Sequence, residues 1–160
     1  MGVEDFLVRI ETDANSTTVV AELLTIPGVI RDTAAIRMAS YIFLRFEDEE
    51  HIVELEIQDR KPCVVSLRFA LCHPSSIEQV FGALVGQIAR VLAGRVSIAE
   101  DVEPDVVPVG TAFGPPHWNS LNAAIDACVD KKRRLWQADF GTKTARASCR
   151  EALEKFVIGR

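Results

Sequence analysis

The sequence lacks the short motifs that identify most catalytic sites. It contains no G-x-G-x-x-G or G-x-x-x-x-G-K-[ST] motif for phosphate binding, no H-E-x-x-H motif and no G-x-S-x-G motif. Its 4 cysteines and 3 histidines do not match the spacing of a zinc site. We therefore expect no metal and no cofactor, and no motif assigns a reaction.

Long apolar runs and export signals are also missing. No stretch approaches the roughly 20 apolar residues that a membrane-spanning helix needs. Residues 1–13 are acidic and alternating, without the basic start and apolar run of a signal peptide. We therefore expect a cytoplasmic protein with no membrane partner and with reduced cysteines.

The composition indicates one soluble globular domain. The chain has 160 residues, of which 48% are hydrophobic and 26% charged. A chain of this length buries enough surface to fold without a disulfide or metal scaffold. We interpret the cysteines as small hydrophobic core residues. They are Cys63, Cys72, Cys128 and Cys149.

Hydrophobic periodicity predicts an α+β fold with an antiparallel sheet. Alternation of apolar and polar residues predicts strands, and the three central ones form a meander over 40–71. The predicted strands are residues 3–11, 40–47, 51–59, 63–71 and 95–100. Segment 29–38 fits either a short strand or a loop.

Two helices are predicted to pack on this sheet, at 15–26 and 75–93. Ser75 or Ser76 can cap the second helix, and Gly94 is a natural stop at its end.

The chain divides into three parts along its length. Residues 1–100 form the α+β core, and 101–116 form a loop rich in proline and glycine. Residues 117–160 are predicted to form two helices that pack on the same domain, against the sheet or the helix at 75–93.

Charge is distributed unevenly along the chain. Residues 1–130 carry 9 basic and 20 acidic residues, whereas residues 131–160 carry 9 basic and 3 acidic ones. The basic run Lys131–Arg134 lies in a predicted helix, where four successive residues cannot form one flat patch. We interpret it as an internal match to the acidic sheet, and contact with an anionic ligand or RNA is the alternative.

Acidic residues are concentrated in the first two strands of the meander and the turn between them. Such a surface repels nucleic acid and attracts a basic protein face. The alternative is a solvated hairpin that charge keeps soluble. The predicted partner-binding residues are Glu47, Asp48, Glu49, Glu50, Glu54 and Glu56.

In size, acidity and α+β organisation the chain resembles the small immunity proteins that neutralise bacterial polymorphic toxins. The resemblance implies that the acidic surface blocks the basic substrate groove of a toxin, such as a nuclease. We therefore expect a non-catalytic inhibitor with a basic protein partner and no nucleic-acid ligand.

Three other functions stay open. The first is a secretion chaperone or adaptor, which would be expected to form a homodimer. The second is an enzyme with a site near 101–117, using Cys63 or Cys72 as nucleophile and His73 or His117 as base. The third and weakest is nucleic-acid binding through the C-terminal helices.

The three histidines lie at predicted element boundaries, and we interpret them as solvated. They are His51, His73 and His117.

Overall fold

One antiparallel sheet with helices on one face forms the described part of the chain. The structure, a computed structural model, describes residues 5–33, 39–71, 76–98, 112–113 and 118–140. The strands are β1 (Asp5–Thr12), β2 (Val29–Arg31), β3 (Tyr41–Glu47), β4 (Ile52–Gln58), β5 (Cys63–Ala70), β6 (Arg95–Ile98) and β7 (Ala112–Phe113). The helices are α1 (Ser16–Leu23), α2 (Ile77–Val91) and α3 (Trp118–Phe140).

The sheet order is β2-β3-β4-β5-β1-β6-β7, and every neighbouring pair is antiparallel. The predicted α+β class and the meander over 40–71 are therefore confirmed. Within the ambiguous segment 29–38, Val29–Arg31 is a strand, and 34–38 lie outside the described residues. The first strand of the chain lies beside the last strand of the meander, which places β5 at the centre of the sheet.

Alternate residues of the central strands point into one apolar core. Phe6 of β1 lies opposite Phe69 of β5, with ring centroids 5.8 Å apart. Phe81 of α2 packs edge-on against Phe69 at 4.7 Å and against Phe6 at 5.9 Å. These three rings are fully buried and join the sheet to α2. The contacts between the rings stabilise the fold in addition to the burial of their apolar area.

The opposite face of the sheet combines exposed arginines with buried residues. Arg9 and Arg68 are exposed on this face, as alternation predicts. Val64, Ser66 and Ala70 of β5 point to the same side but are buried. Except at Arg68, the central strand is therefore covered on both faces, although alternation alone predicts one wet face for the meander.

Helix α3 packs against α2, so the predicted contact of the C-terminal region with the helix at 75–93 is confirmed. Its buried face includes Leu121, Ile125 and Val129. The second predicted helix, at 143–157, lies outside the described residues. Of the predicted loop 101–116, residues 112–113 form β7, which pairs with β6.

The end of α2 is a Schellman motif in which the left-handed residue is Ala93, not the predicted Gly94. The amide of Gly94 donates to the carbonyl of Ala89 at 2.9 Å, and that of Ala93 donates to Arg90 at 3.2 Å. Ala93 has φ +47°, a conformation that favours glycine. Gly94 is needed for another reason, since a Cβ there would collide with the side chain of Ile10.

Replacing Ala93 with glycine should therefore stabilise the protein by about 1 kcal/mol, because the left-handed conformation strains any residue with a Cβ. Urea unfolding of Ala93→Gly and wild type measures the difference. Gly94→Ala is the matched control and should destabilise the protein. A lower stability for Ala93→Gly would contradict the cap.

Candidate functional site

The acidic turn between β3 and β4 lies at the end of the sheet where α2 begins. Strand β5 runs antiparallel to β4, so the chain leaves Ala70 close to Ile52, where the turn rejoins the sheet. The turn itself comprises residues 48–51. Its location brings predicted partner-binding residues next to the start of a helix.

The predicted partner-binding residues differ in exposure. Glu49 and Glu50 are exposed at the tip of the turn, whereas Glu47, Glu54 and Glu56 are half-buried. Asp48 is also partly covered, because it folds back onto the turn. The exposed acidic surface is therefore the turn, not the strand that follows it.

Neighbouring strands supply arginines to the carboxylates of the sheet. Arg68 of β5 lies opposite Glu54, and its Nε donates to Oε2 of Glu54 at 2.7 Å. Burial raises the pKa of Glu54, and the charge of Arg68 only partly opposes this effect. Arg45 lies two residues before Glu47 on β3, and its Nε is 3.0 Å from Oε2 of Glu47. Segment 47–59 contains no basic residue, but the fold brings Arg68 to it.

Asp48 organises the turn. Its Oδ1 accepts hydrogen bonds from the amides of Glu50, at 2.8 Å, and His51, at 2.7 Å. Burial acts to raise the pKa of Asp48, but these amides and the imidazole of His51 outweigh it, so the pKa falls below its ordinary value. The carboxylate is therefore held in its ionised form.

His51 is buried, with 6% of its surface exposed, so its interpretation as a solvated boundary residue was wrong. Its Nδ1 lies 2.9 Å from each carboxylate oxygen of Asp48. Its Nε2 lies 2.7 Å from Oγ of Ser76, an exposed residue directly before α2. Ser76 is 25 positions away, so the local sequence around His51 does not encode this contact.

Ser76 occupies the N-cap position of α2 but makes no side-chain cap hydrogen bond. Sequence analysis predicted such a cap at Ser75 or Ser76. The hydroxyl of Ser76 faces His51 instead, and Ser75 lies outside the described residues.

A groove of about 720 Å³ runs between α2 and α3 from Ser76. Its lining includes three acidic residues beside neutral polar ones and an alanine. The lining residues are Ser76, Glu78, Gln79, Ala83, Asn122, Asp126 and Asp130. Gly82 lies beside Asn122, where a Cβ would collide with the amide oxygen, so this glycine permits close helix packing.

The basic run of α3 makes contacts within the molecule. Arg133 forms an ion pair with Glu78 of α2, and both side chains are 12% exposed. Lys132 Nζ donates to the carbonyl of Asp5 at 2.6 Å. Arg134 lies 3.5 Å from Asp130 on its own helix. These contacts agree with the internal interpretation of the run, but the matched groups lie mainly on helices instead of the acidic hairpin.

The cysteine–histidine pairing predicted for an enzyme receives little support from the described residues. Cys63 and Cys128 are buried free thiols, as expected for core residues. Burial and the charge of Asp59 raise the pKa of Cys63, which makes it a poor nucleophile. Cys72, His73, Cys149 and His117 lie outside the described residues.

Within the described ranges, no group of three or more histidine, cysteine, aspartate or glutamate side chains is arranged to hold a metal ion. None of the described helices is both long and apolar enough to cross a bilayer.

Comparison with known proteins gives no family for the chain. No family model matches the sequence, and no curated protein matches it.

Removing Arg133 should destabilise the protein by about 3 kcal/mol, because it leaves Glu78 charged in a nearly buried position. Arg134→Ala removes an exposed pair on the same helix and should cost less than about 0.5 kcal/mol. Urea unfolding of the two variants compares them directly. Equal losses would contradict a structural role for the Arg133–Glu78 pair.

Asp48 should stabilise the protein in a pH-dependent manner. Since folding lowers its pKa below the ordinary 3.8, its contribution is complete above that pH and is lost as the pH falls through the folded value. Asp48→Asn should therefore be less stable than wild type at pH 6, and the difference should shrink toward pH 2. Unfolding curves across this range measure it, and a constant difference would contradict the lowered pKa.

Proposed function

We propose that this protein binds a basic protein partner through its acidic turn and the adjoining groove, as an immunity or inhibitor protein does. The observation that carries the proposal is the hydrogen bond between His51 and Ser76. It attaches the turn, with exposed Glu49 and Glu50, to the end of a groove lined by exposed Asp126 and by Asp130, whose charge Arg134 partly offsets. Two acidic features thereby form one surface.

The remaining predicted contacts contribute less to this surface. Glu54 is held by Arg68, and Glu47 lies against Arg45. A carboxylate that already faces an arginine attracts a partner less strongly, because the two fields largely cancel at a distance. Together with half-buried Glu56, these residues form the margin of the proposed interface.

The distribution of exposed apolar side chains favours binding by charge. In the described part of the chain, the large exposed apolar residues are Leu24, Ile30, Val91 and Leu135. They lie at or beside four different elements and do not coincide with the acidic turn. A chaperone or adaptor that holds an unfolded segment needs a contiguous apolar patch. The proposed partner is therefore a folded protein with a basic face, and a toxin such as a nuclease is the expected class.

The test is capture of proteins from the native cell extract at low and high salt, followed by association kinetics with the protein recovered. Glu49→Lys/Glu50→Lys should lower the association rate about tenfold at low salt and weaken its salt dependence, because the turn steers a basic partner. Asp13→Lys/Asp59→Lys is the matched control. It makes the same charge change on two exposed residues at the opposite end of the sheet.

An unchanged association rate for the turn variant would remove the turn from the interface. Equal slowing in both variants would mean that the association rate depends on the net charge of the protein and not on the turn. Failure to capture any protein from cells that contain the natural partner would overturn the proposal itself.

A further inference from the structure

Asp48, His51 and Ser76 form a line of three hydrogen-bonded side chains from two separate parts of the chain. His51 lies between the other two, with Nδ1 toward the carboxylate of Asp48 at 2.9 Å and Nε2 toward the hydroxyl of Ser76 at 2.7 Å. Ser76 is exposed whereas His51 is buried. A nucleophile, a base and a group that orients the base have this relation to one another.

The hydrogen-bond partners of His51 determine which of its ring nitrogens carries the proton. An ionised carboxylate accepts hydrogen bonds only, so Nδ1 of His51 carries a proton toward Asp48. In the neutral imidazole Nε2 is then an acceptor, and the hydroxyl of Ser76 donates to it. This is the tautomer in which the histidine can remove the proton of the serine.

The position of Ser76 adds donors for a developing negative charge. Helix α2 begins at Ile77, so the first-turn amides, starting with that of Ile77, point toward its N-terminal end. The first amides of a helix, together with its dipole, stabilise an oxyanion. The hydroxyl of Ser76 is therefore hydrogen-bonded to His51 and lies beside the electropositive end of α2.

We propose that Ser76 is a nucleophile, activated by His51, that accepts an acyl group from an ester entering along the groove between α2 and α3. Asp48 acts as a positioning residue that fixes the tautomer and orientation of His51. This activity goes beyond partner binding and uses the groove that the proposed interface also includes.

The chemistry balances without an oxidant or a cofactor. Oγ of Ser76 forms a bond to the carbonyl carbon while its proton passes to Nε2 of His51. The bond from that carbon to the alcohol oxygen breaks, and the alcohol leaves with the proton. Water then attacks the acyl-serine, gives a proton to Nε2, and the hydroxyl of Ser76 recovers it. The net reaction converts an ester and water into a carboxylic acid and an alcohol.

The groove indicates the class of ester. Asp126 and Asp130 are exposed along its wall, and Gln79 and Asn122 provide neutral polar groups. Negative groups in a groove favour cationic ligands and repel anionic ones. The substrate class is therefore an ester with a cationic or neutral polar group, not one with a phosphate or carboxylate.

The test uses the full chain and three 4-nitrophenyl esters, namely the neutral acetate, one with a trimethylammonium group and one with a sulfonate group. Mass spectrometry should find one acyl group on Ser76, and tandem spectra distinguish it from the adjacent Ser75. A fluorophosphonate should label the same residue. The cationic ester should react about tenfold faster than the anionic one, and Asp126→Asn/Asp130→Asn should remove this preference.

Three variants separate the roles. Ser76→Ala removes an exposed hydroxyl and should abolish acylation while leaving the thermal unfolding midpoint within a few degrees of wild type. His51→Gln should reduce the acylation rate about 100-fold. Asp48→Asn should also reduce it and should alter the pH profile, which a purely structural role would not do. Ser40→Ala, at an exposed serine near the opposite end of β3, is the matched control and should leave acylation unchanged.

Absence of acylation at Ser76, or equal rates in wild type, His51→Gln and Asp48→Asn, would overturn the proposal. Acylation without a preference for the cationic ester would overturn the assigned substrate class. Neither result depends on the partner, because Ser76→Ala retains every carboxylate of the turn and Glu49→Lys/Glu50→Lys retains the three aligned side chains.

Discussion

The antiparallel register through β3, β4, β5 and β1 is the constraint on which the rest of the structure depends. It places Leu55 opposite Leu67 in the core and Glu54 opposite Arg68 on the other face. A shift of one residue would exchange the two faces and bury the charges of β4. The same register sets the end of β5 beside the start of β4, so the turn at 48–51 meets the chain as it enters α2.

Several polar side-chain contacts of the described residues lie at that end of the sheet. Lys132 reaches the carbonyl of Asp5, and Arg133 pairs with Glu78. These basic groups of α3 are used inside the molecule. The carboxylates of the turn tip, by contrast, point into solvent. Lys132 and Arg133 of α3 thus make internal contacts, whereas the acidic groups of the turn tip lie at the surface.

Local periodicity predicted much of this fold. The alternation in β1 and β4 and the apolar stripe of α2 are local properties, and they gave the correct elements and inward faces. Ala93 shows the limit of such patterns. Glycine is the expected residue in a left-handed cap, and Gly94 matched that expectation, but the neighbouring alanine has the positive φ. Glycine is needed at position 94 because the backbone there approaches Ile10, and this tertiary contact is not visible in a local pattern.

The site was harder to predict because its residues meet only through the register. Glu54 belongs to an acidic segment in the sequence, and Arg68 is 14 positions away. His51 and Ser76 are 25 positions apart, so no spacing motif connects them. The signals available were weak ones, a histidine at the end of a turn and serines before a helix. Each has an ordinary local explanation, as a solvated residue or a cap.

The arrangement around His51 is more specific than attachment of a turn to a helix requires. Any donor and acceptor of matching length can join two segments, and an ordinary N-cap would satisfy an amide of α2 with the serine. In this protein the hydroxyl of Ser76 faces the imidazole instead, and the helix has no side-chain cap. The base is shielded from water while the hydroxyl stays accessible. Shielding strengthens the contact between His51 and Asp48, and exposure leaves Ser76 open to a reactant, which is the combination that an acyl acceptor needs.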